Sequence, residues 1–228
     1  MNWRWIVAAA LLLPFLIAFL FLQVITISFA KLGLSPSGAL LVYLGSLLGG
    51  WFNIPVWRRP VARNVGTSVW PWAMASRRAW GGAPIPYRLF FYQPPVVQEQ
   101  VIAINLGGAV IPLIMCAYLL PRVPLGSALL ATAGVAALCY ALARPAWPVG
   151  IVVPAFVPPV AAAVLAMIAA PSVAPPVAYI SGTLGTLIGA DLLHLRDLER
   201  FDVRLLSIGG AGVHDGIFYA GLIAALLS

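Results

Sequence analysis

Apolar residues run along this chain in long unbroken blocks and do not alternate with polar ones. Seven blocks stand out: Trp5 to Phe29, Gly38 to Val56, Val101 to Leu120, Leu125 to Ala143, Val149 to Ala170, Pro175 to Leu195 and Leu205 to Leu227. A helix needs about 20 apolar residues to cross roughly 30 Å of hydrocarbon, and each block is near that length. The lack of two-residue alternation argues for helices over a membrane barrel. The expected architecture is therefore an all-α, polytopic transmembrane helical bundle of about seven spans, forming a single membrane domain over residues 1–228. Pro154, Pro158 and Pro159 interrupt the fifth block, which is expected to begin as a loop and turn helical only after Pro159.

Between the second and third blocks lies a basic, aromatic stretch, residues 57–100, expected as a cytoplasmic or interfacial loop. Pro84, Pro86, Pro94 and Pro95 flank the aromatic run from Tyr87 to Tyr92, which favours an extended strand or surface loop over one long helix. Such a segment anchors to lipid headgroups. The sharper alternative is a lid or docking edge for a site above it.

Composition agrees with the pattern. At 62% hydrophobic, 8% charged and a mean hydropathy of +1.01, the chain matches a protein dissolved in lipid and not a soluble core. The thirteen basic residues then set an orientation, because loops kept in the cytoplasm collect Lys and Arg. With the N-terminus inside, Arg4, Arg58, Arg59, Arg63, Arg77, Arg78, Arg88, Arg144, Arg196, Arg200 and Arg204 all lie inside, and only Lys31 and Arg122 lie outside. That places the C-terminus outside, in a multi-pass protein of the cytoplasmic membrane. The net charge of +7 is explained by this orientation and by anionic inner-leaflet lipids as partners. No basic run with stacking groups points to nucleic acid. Trp3, Trp5, Trp57, Trp70, Trp72, Trp80 and Trp147 map to the same inner boundary. The first block is too long for the core of a signal peptide and reads as a retained anchor. Cys116 and Cys139 sit inside apolar blocks as small hydrophobes, and neither a metal nor a cofactor is expected.

Two acidic residues break the pattern. Glu99, Asp197, Glu199 and Asp202 fall in polar, Arg-bearing stretches, whereas Asp191 and Asp215 lie within apolar segments, GTLIGADLLHL and SIGGAGVHDGIF. A carboxylate in hydrocarbon costs at least a few kcal/mol, so the pair marks a candidate site. Asn53, Asn105 and Asp191 are expected roughly 5 to 6 Å below the inner boundary, counted along helices. Asp215 would lie about 15 Å deep in a regular helix. Gly209, Gly210 and Gly212 instead predict a break that brings Asp215 near the level of Asp191. A polar cluster on the inner side follows, with Asn53, Asn105, His194 and His214 in support. Gly182, Gly185 and Gly189 form a small-residue stripe for close helix packing, and Asp191 is expected to point away from it. His194, one turn beyond Asp191, could relay a proton, but more commonly such a histidine bonds a helix end. His214 is equally ambiguous.

Paired carboxylates at low dielectric titrate apart, as an aspartyl protease requires. The arrangement of Asp191 near the inner end of one helix and Asp215 behind Gly210-Ala211-Gly212 resembles the GxGD intramembrane aspartyl proteases, such as presenilin, signal peptide peptidase and the prepilin peptidases. The resemblance implies catalytic roles for Asp191 and Asp215 and a membrane peptide as substrate. Val213 and His214 intervene before Asp215, two residues more than the motif has, and no Tyr precedes Asp191. A broader resemblance is carried by NIPV at Asn53, NLGGAVIPL at Asn105, VPAFVPP at Val153, GTLIGADLLHL and SIGGAGVHDGIF. In that order these strings are similar to an archaeal and bacterial family of integral membrane proteins, domain of unknown function 1614, which implies a fold but no chemistry. The leading reading is a GxGD-like intramembrane aspartyl hydrolase that cleaves membrane peptides; a proton- or ion-coupled carrier gated by the fifth span and a non-catalytic assembly subunit with a partner helix stay open as alternatives. The last expects the aspartates to bond Asn53, Asn105 or backbone amides freed by glycines.

Overall fold

A computed structural model describes residues 3–63, 96–146, 150–195, 205–210 and 216–228. Among them are seven α-helices: α1 (Trp3–Lys31), α2 (Pro36–Gly49), α3 (Ile111–Leu119), α4 (Leu125–Leu142), α5 (Val157–Ala169), α6 (Ala174–Thr186) and α7 (Gly216–Leu227). Short π-helical turns precede α3 at Leu106–Val110 and extend α6 at Leu187–Leu192. Three apolar segments are long enough to cross a bilayer, Leu12–Lys31, Leu125–Leu142 and Pro171–Leu192. They are the mark of a membrane protein. The other four, Pro36–Gly49, Leu106–Arg122, Val157–Ala169 and Gly216–Leu227, are apolar but shorter.

The all-α expectation is corrected by a small sheet. β1 (Asn53–Arg63) pairs antiparallel with β2 (Val96–Asn105), and β2 pairs parallel with β5 (Leu205–Ile208), giving the order β1-β2-β5. A separate hairpin joins β3 (Arg144–Ala146) and β4 (Gly150–Val152). Residues 53–56, 101–105 and 205–208 were expected in spans, yet they are strands. The physical reason is visible in β2: Val101, Ile102 and Ile104 are β-branched, and Ile102 and Ala103 are buried where β2 runs between two neighbours. A strand buried on both faces reads as a continuous apolar run, the same signal a buried helix gives. The sheet also reaches into the expected 57–100 loop, whose two ends, Trp57 to Arg63 and Val96 to Gln100, are paired strands. The run from Tyr87 to Tyr92 lies outside the described residues. The fifth span, expected to open as a loop and turn helical only after Pro159, opens instead as strand β4 and a turn, and α5 starts earlier, at Val157, with Pro158 and Pro159 in its first turn where no helical N–H is lost.

All five strands attach at one end of the bundle. β1 follows α2, β2 leads into α3, β3 follows α4, β4 precedes α5 and β5 precedes α7. At the opposite end the connections are tight. α1 closes in a Schellman turn, with Gly33 at φ +80° and the Leu34 N–H donating to Phe29 O at 3.1 Å. α2 then starts on a Ser35 cap that accepts the Gly38 N–H, with Pro36 at the first helical position. Lys31 Nζ donates to Leu226 O at 2.7 Å, which puts the C-terminal ends of α1 and α7 together. α2, α5 and α7, of 14, 13 and 12 residues, are each only about 20 Å long by rise. At the sheet end α2 gives way to β1, and α5 is preceded by β4.

α6 is the hub. Most of its residues are buried, and it contributes to two apolar clusters, one with α1, α2, α3 and α7 and one with α4, α5 and α7. The glycine stripe works as a contact seam, though against two neighbours. A Cβ on Gly182 would fall 3.0 Å from Ala220 O of α7, whereas one on Gly185 would fall 2.6 Å from Val135 Cβ of α4. Gly189 is tighter still, with Ala136 O only 2.3 Å from its would-be Cβ.

Candidate functional site

Asn53 and Asn105 are register partners at the ends of β1 and β2 nearest the helices. Neither stands inside a helix, so the depths counted along helices for them are corrected. Asn105 instead caps the π-turn that begins α3: its Oδ1 accepts the Gly108 N–H at 2.8 Å. Its amide nitrogen donates to Gly50 O at 2.8 Å and to Asn53 Oδ1 at 3.2 Å. Ser207 Oγ, from β5, donates to the same Asn53 oxygen at 2.5 Å. Both hydrogens and the oxygen of the buried Asn105 amide are thereby used.

Backbones approach closely around this knot. A Cβ on Gly107 would fall 1.9 Å from Ser46 O and 2.4 Å from Gly50 N, and Ser46 Oγ donates to Gly107 O at 2.7 Å. Glycine is required there, because the end of α2 lies directly on the π-turn.

Asp191 joins from the other side. It lies in the π-turn that ends α6, and its Oδ2 accepts the Gly209 N–H at 2.8 Å. Gly209 has φ +74°, a left-handed conformation that suits glycine, and follows β5 directly. Gly210 then abuts the knot: a Cβ there would fall 2.3 Å from Ser207 Oγ and 2.9 Å from Asn105 Cβ. The Gly209-Gly210 turn is thus wedged between Asp191 and Asn105. One cluster gathers Asn53, Asn105, Ser207, Asp191, Gly209 and Gly210.

His194 does not bond Asp191. Its Nδ1 sits 2.9 Å from Gly189 O, so that nitrogen carries the proton and donates to the helix end. Its ring packs at 4.8 Å from that of Tyr140, on α4. Gly212, His214 and Asp215 lie outside the described residues.

Ser46, Ser207 and the two π-turns complete the cluster and its surroundings without standing out in the sequence. Asn105 followed by Gly107 and Gly108 carries a capping signal that was open to reading. Nothing local singles out Ser207, which becomes polar partner to Asn53 only through the parallel pairing of β5 with β2.

A family model described as "Protein of unknown function (DUF1614)" matches residues 47–227. The chain belongs to that family. The DUF1614 segment begins in the last turn of α2 and takes in β1, β2, β5 and helices α3 to α7, so the whole cluster falls within it, and Ser46 lies just before it. α1 precedes it. No curated protein and no solved structure matches the chain.

Proposed function

We propose that the protein is a non-catalytic assembly subunit of the cytoplasmic membrane, crossing it seven times with the sheet end inside. One observation carries the reading: the Asp191 carboxylate, the one carboxylate on a helix among the described residues, is held by a backbone amide at a glycine turn. The neighbouring polar groups bond one another or backbone in the same way. Such a network ties α2, α3, α6 and the sheet together and presents the helices as a fixed surface to a partner helix. Orientation is supported by charge. Arg58, Arg59, Arg63 and Arg144 sit on strands at the sheet end, while Lys31 and Arg122 lie at the opposite helix ends.

A second reading, the intramembrane aspartyl hydrolase, is favoured by one feature. Asp191 Oδ1 has no hydrogen bond among the described residues, and the turn held by Oδ2 leads within a few residues to Asp215. Proteoliposomes separate the two. The parent, Asp191→Asn and Asp215→Asn proteins are assayed with single-span peptides and with a pH-sensitive dye. The assembly reading expects no cleavage and no proton flux from any of them. Cleavage by the parent that both variants lose, at unchanged thermal stability, would replace it with the hydrolase. Proton flux lost in the same way would select a carrier.

A further inference from the structure

β1 makes two demands on its surroundings. Its pairing partner is β2, so its outer edge is an unpaired row of backbone groups among the described residues. A sheet edge of that kind is not tolerated in hydrocarbon, where no water satisfies its N–H and C=O groups. Yet the residues at its start are large, apolar and open: Trp51 is 81% exposed, Phe52 61%, Ile54 48%, Val56 60% and Trp57 54%. Bulk water is equally unsuitable for so many large apolar side chains in one short segment.

The headgroup layer meets both demands, with water for the backbone and acyl chains for the rings. Two further features point there. The exposed leucines of α2, Leu40, Leu41, Leu44 and Leu48, lead straight into Trp51 and Phe52, so the strand continues a lipid-facing surface. Beyond Trp57 the strand turns basic with Arg58 and Arg59, Arg59 being held by Gln100 Oε1 and Arg58 standing exposed. Glu99, opposite Pro60, is the one carboxylate on the described part of this hairpin. Pro55 and Pro60 fit the same picture, since proline within a sheet belongs on an edge strand.

We propose that β1 is a membrane-docking strand, the segment from Trp51 to Trp57 at its start set among the headgroups of the cytoplasmic leaflet and Arg58 bound to anionic lipid phosphates. The docking fixes the depth of the cluster at Asn53, because that residue is the first of the strand.

The test is a depth measurement on the full chain carrying Ile54→Cys with a nitroxide; Cys116 and Cys139 are buried and stay unlabelled. Vesicles are of phosphatidylcholine alone or with phosphatidylglycerol, and depth is read from the ratio of oxygen to nickel-chelate collisions. The expected result is a label at headgroup level that moves deeper with phosphatidylglycerol, and a loss of that shift in Arg58→Glu. A label fully open to the nickel chelate in both lipids, or one at the hydrocarbon centre, overturns the proposal. So does spin–spin broadening that grows with protein density, which would mean that a second copy covers the edge.

Discussion

Asp191 uses one carboxylate oxygen on the Gly209 amide, and the consequence is a clear ranking of substitutions. Asp191→Ala leaves that N–H without its acceptor and is expected to destabilise the protein by about 2 kcal/mol, whereas Asp191→Asn retains an acceptor oxygen and is expected to cost less than half of that. Thermal unfolding in lipid nanodiscs reads the difference. Asn105 gives the opposite lesson about isosteres. Asn105→Asp preserves the cap on Gly108 but turns the donors facing Gly50 O and Asn53 Oδ1 into acceptors, so it is expected to melt below Asn105→Ala, which costs about 2 kcal/mol. At this scale Asp191, Asn53 and Asn105 were legible, because a polar side chain in an apolar run is conspicuous. Ser207 was not, since a serine is unremarkable until a parallel strand delivers it to an asparagine.

Elements meet here through glycine, and the contacts differ enough in closeness to be told apart by experiment. Gly107→Ala would drive a Cβ against the Ser46 carbonyl, and a loss of about 3 kcal/mol is expected, visible as a lower melting temperature. Gly126→Ala, near the start of α4, meets nothing within 4 Å and is expected to be neutral or stabilising by about 0.5 kcal/mol. The stripe of Gly182, Gly185 and Gly189 was readable from its spacing, but its division between α7 and α4 was not, because spacing gives a face and not the neighbour that occupies it. The π-turn at Leu187–Leu192 was equally hidden: it packs extra residues into a turn, so the regular-helix phase assumed for Asp191 and His194 no longer holds. β2 misled for a different reason. Flanked by β1 and β5, its inner half is as uniformly apolar as a span, and only the Gln98-Glu99-Gln100 stretch before it hints at a surface element.

For the whole molecule, hydropathy located the seven apolar helices of the described residues and overstated four of them, since the apolar blocks of α2, α3, α5 and α7 each include residues that form strands. The sheet end therefore depends on side-chain and backbone hydrogen bonds, while the opposite end rests on tight turns and apolar packing against α6. Loss of the cluster is expected to loosen the sheet end first, leaving the clusters around Tyr179 and Val177 intact. Amide hydrogen exchange in nanodiscs measures this directly at Gly209, whose N–H is the bond on which the structural role of Asp191 rests. The Gly209 amide should exchange slowly in the parent and in Asp191→Asn and rapidly in Asp191→Ala, with α6 protected in all three. Equal exchange at Gly209 in the parent and in Asp191→Ala would contradict the account.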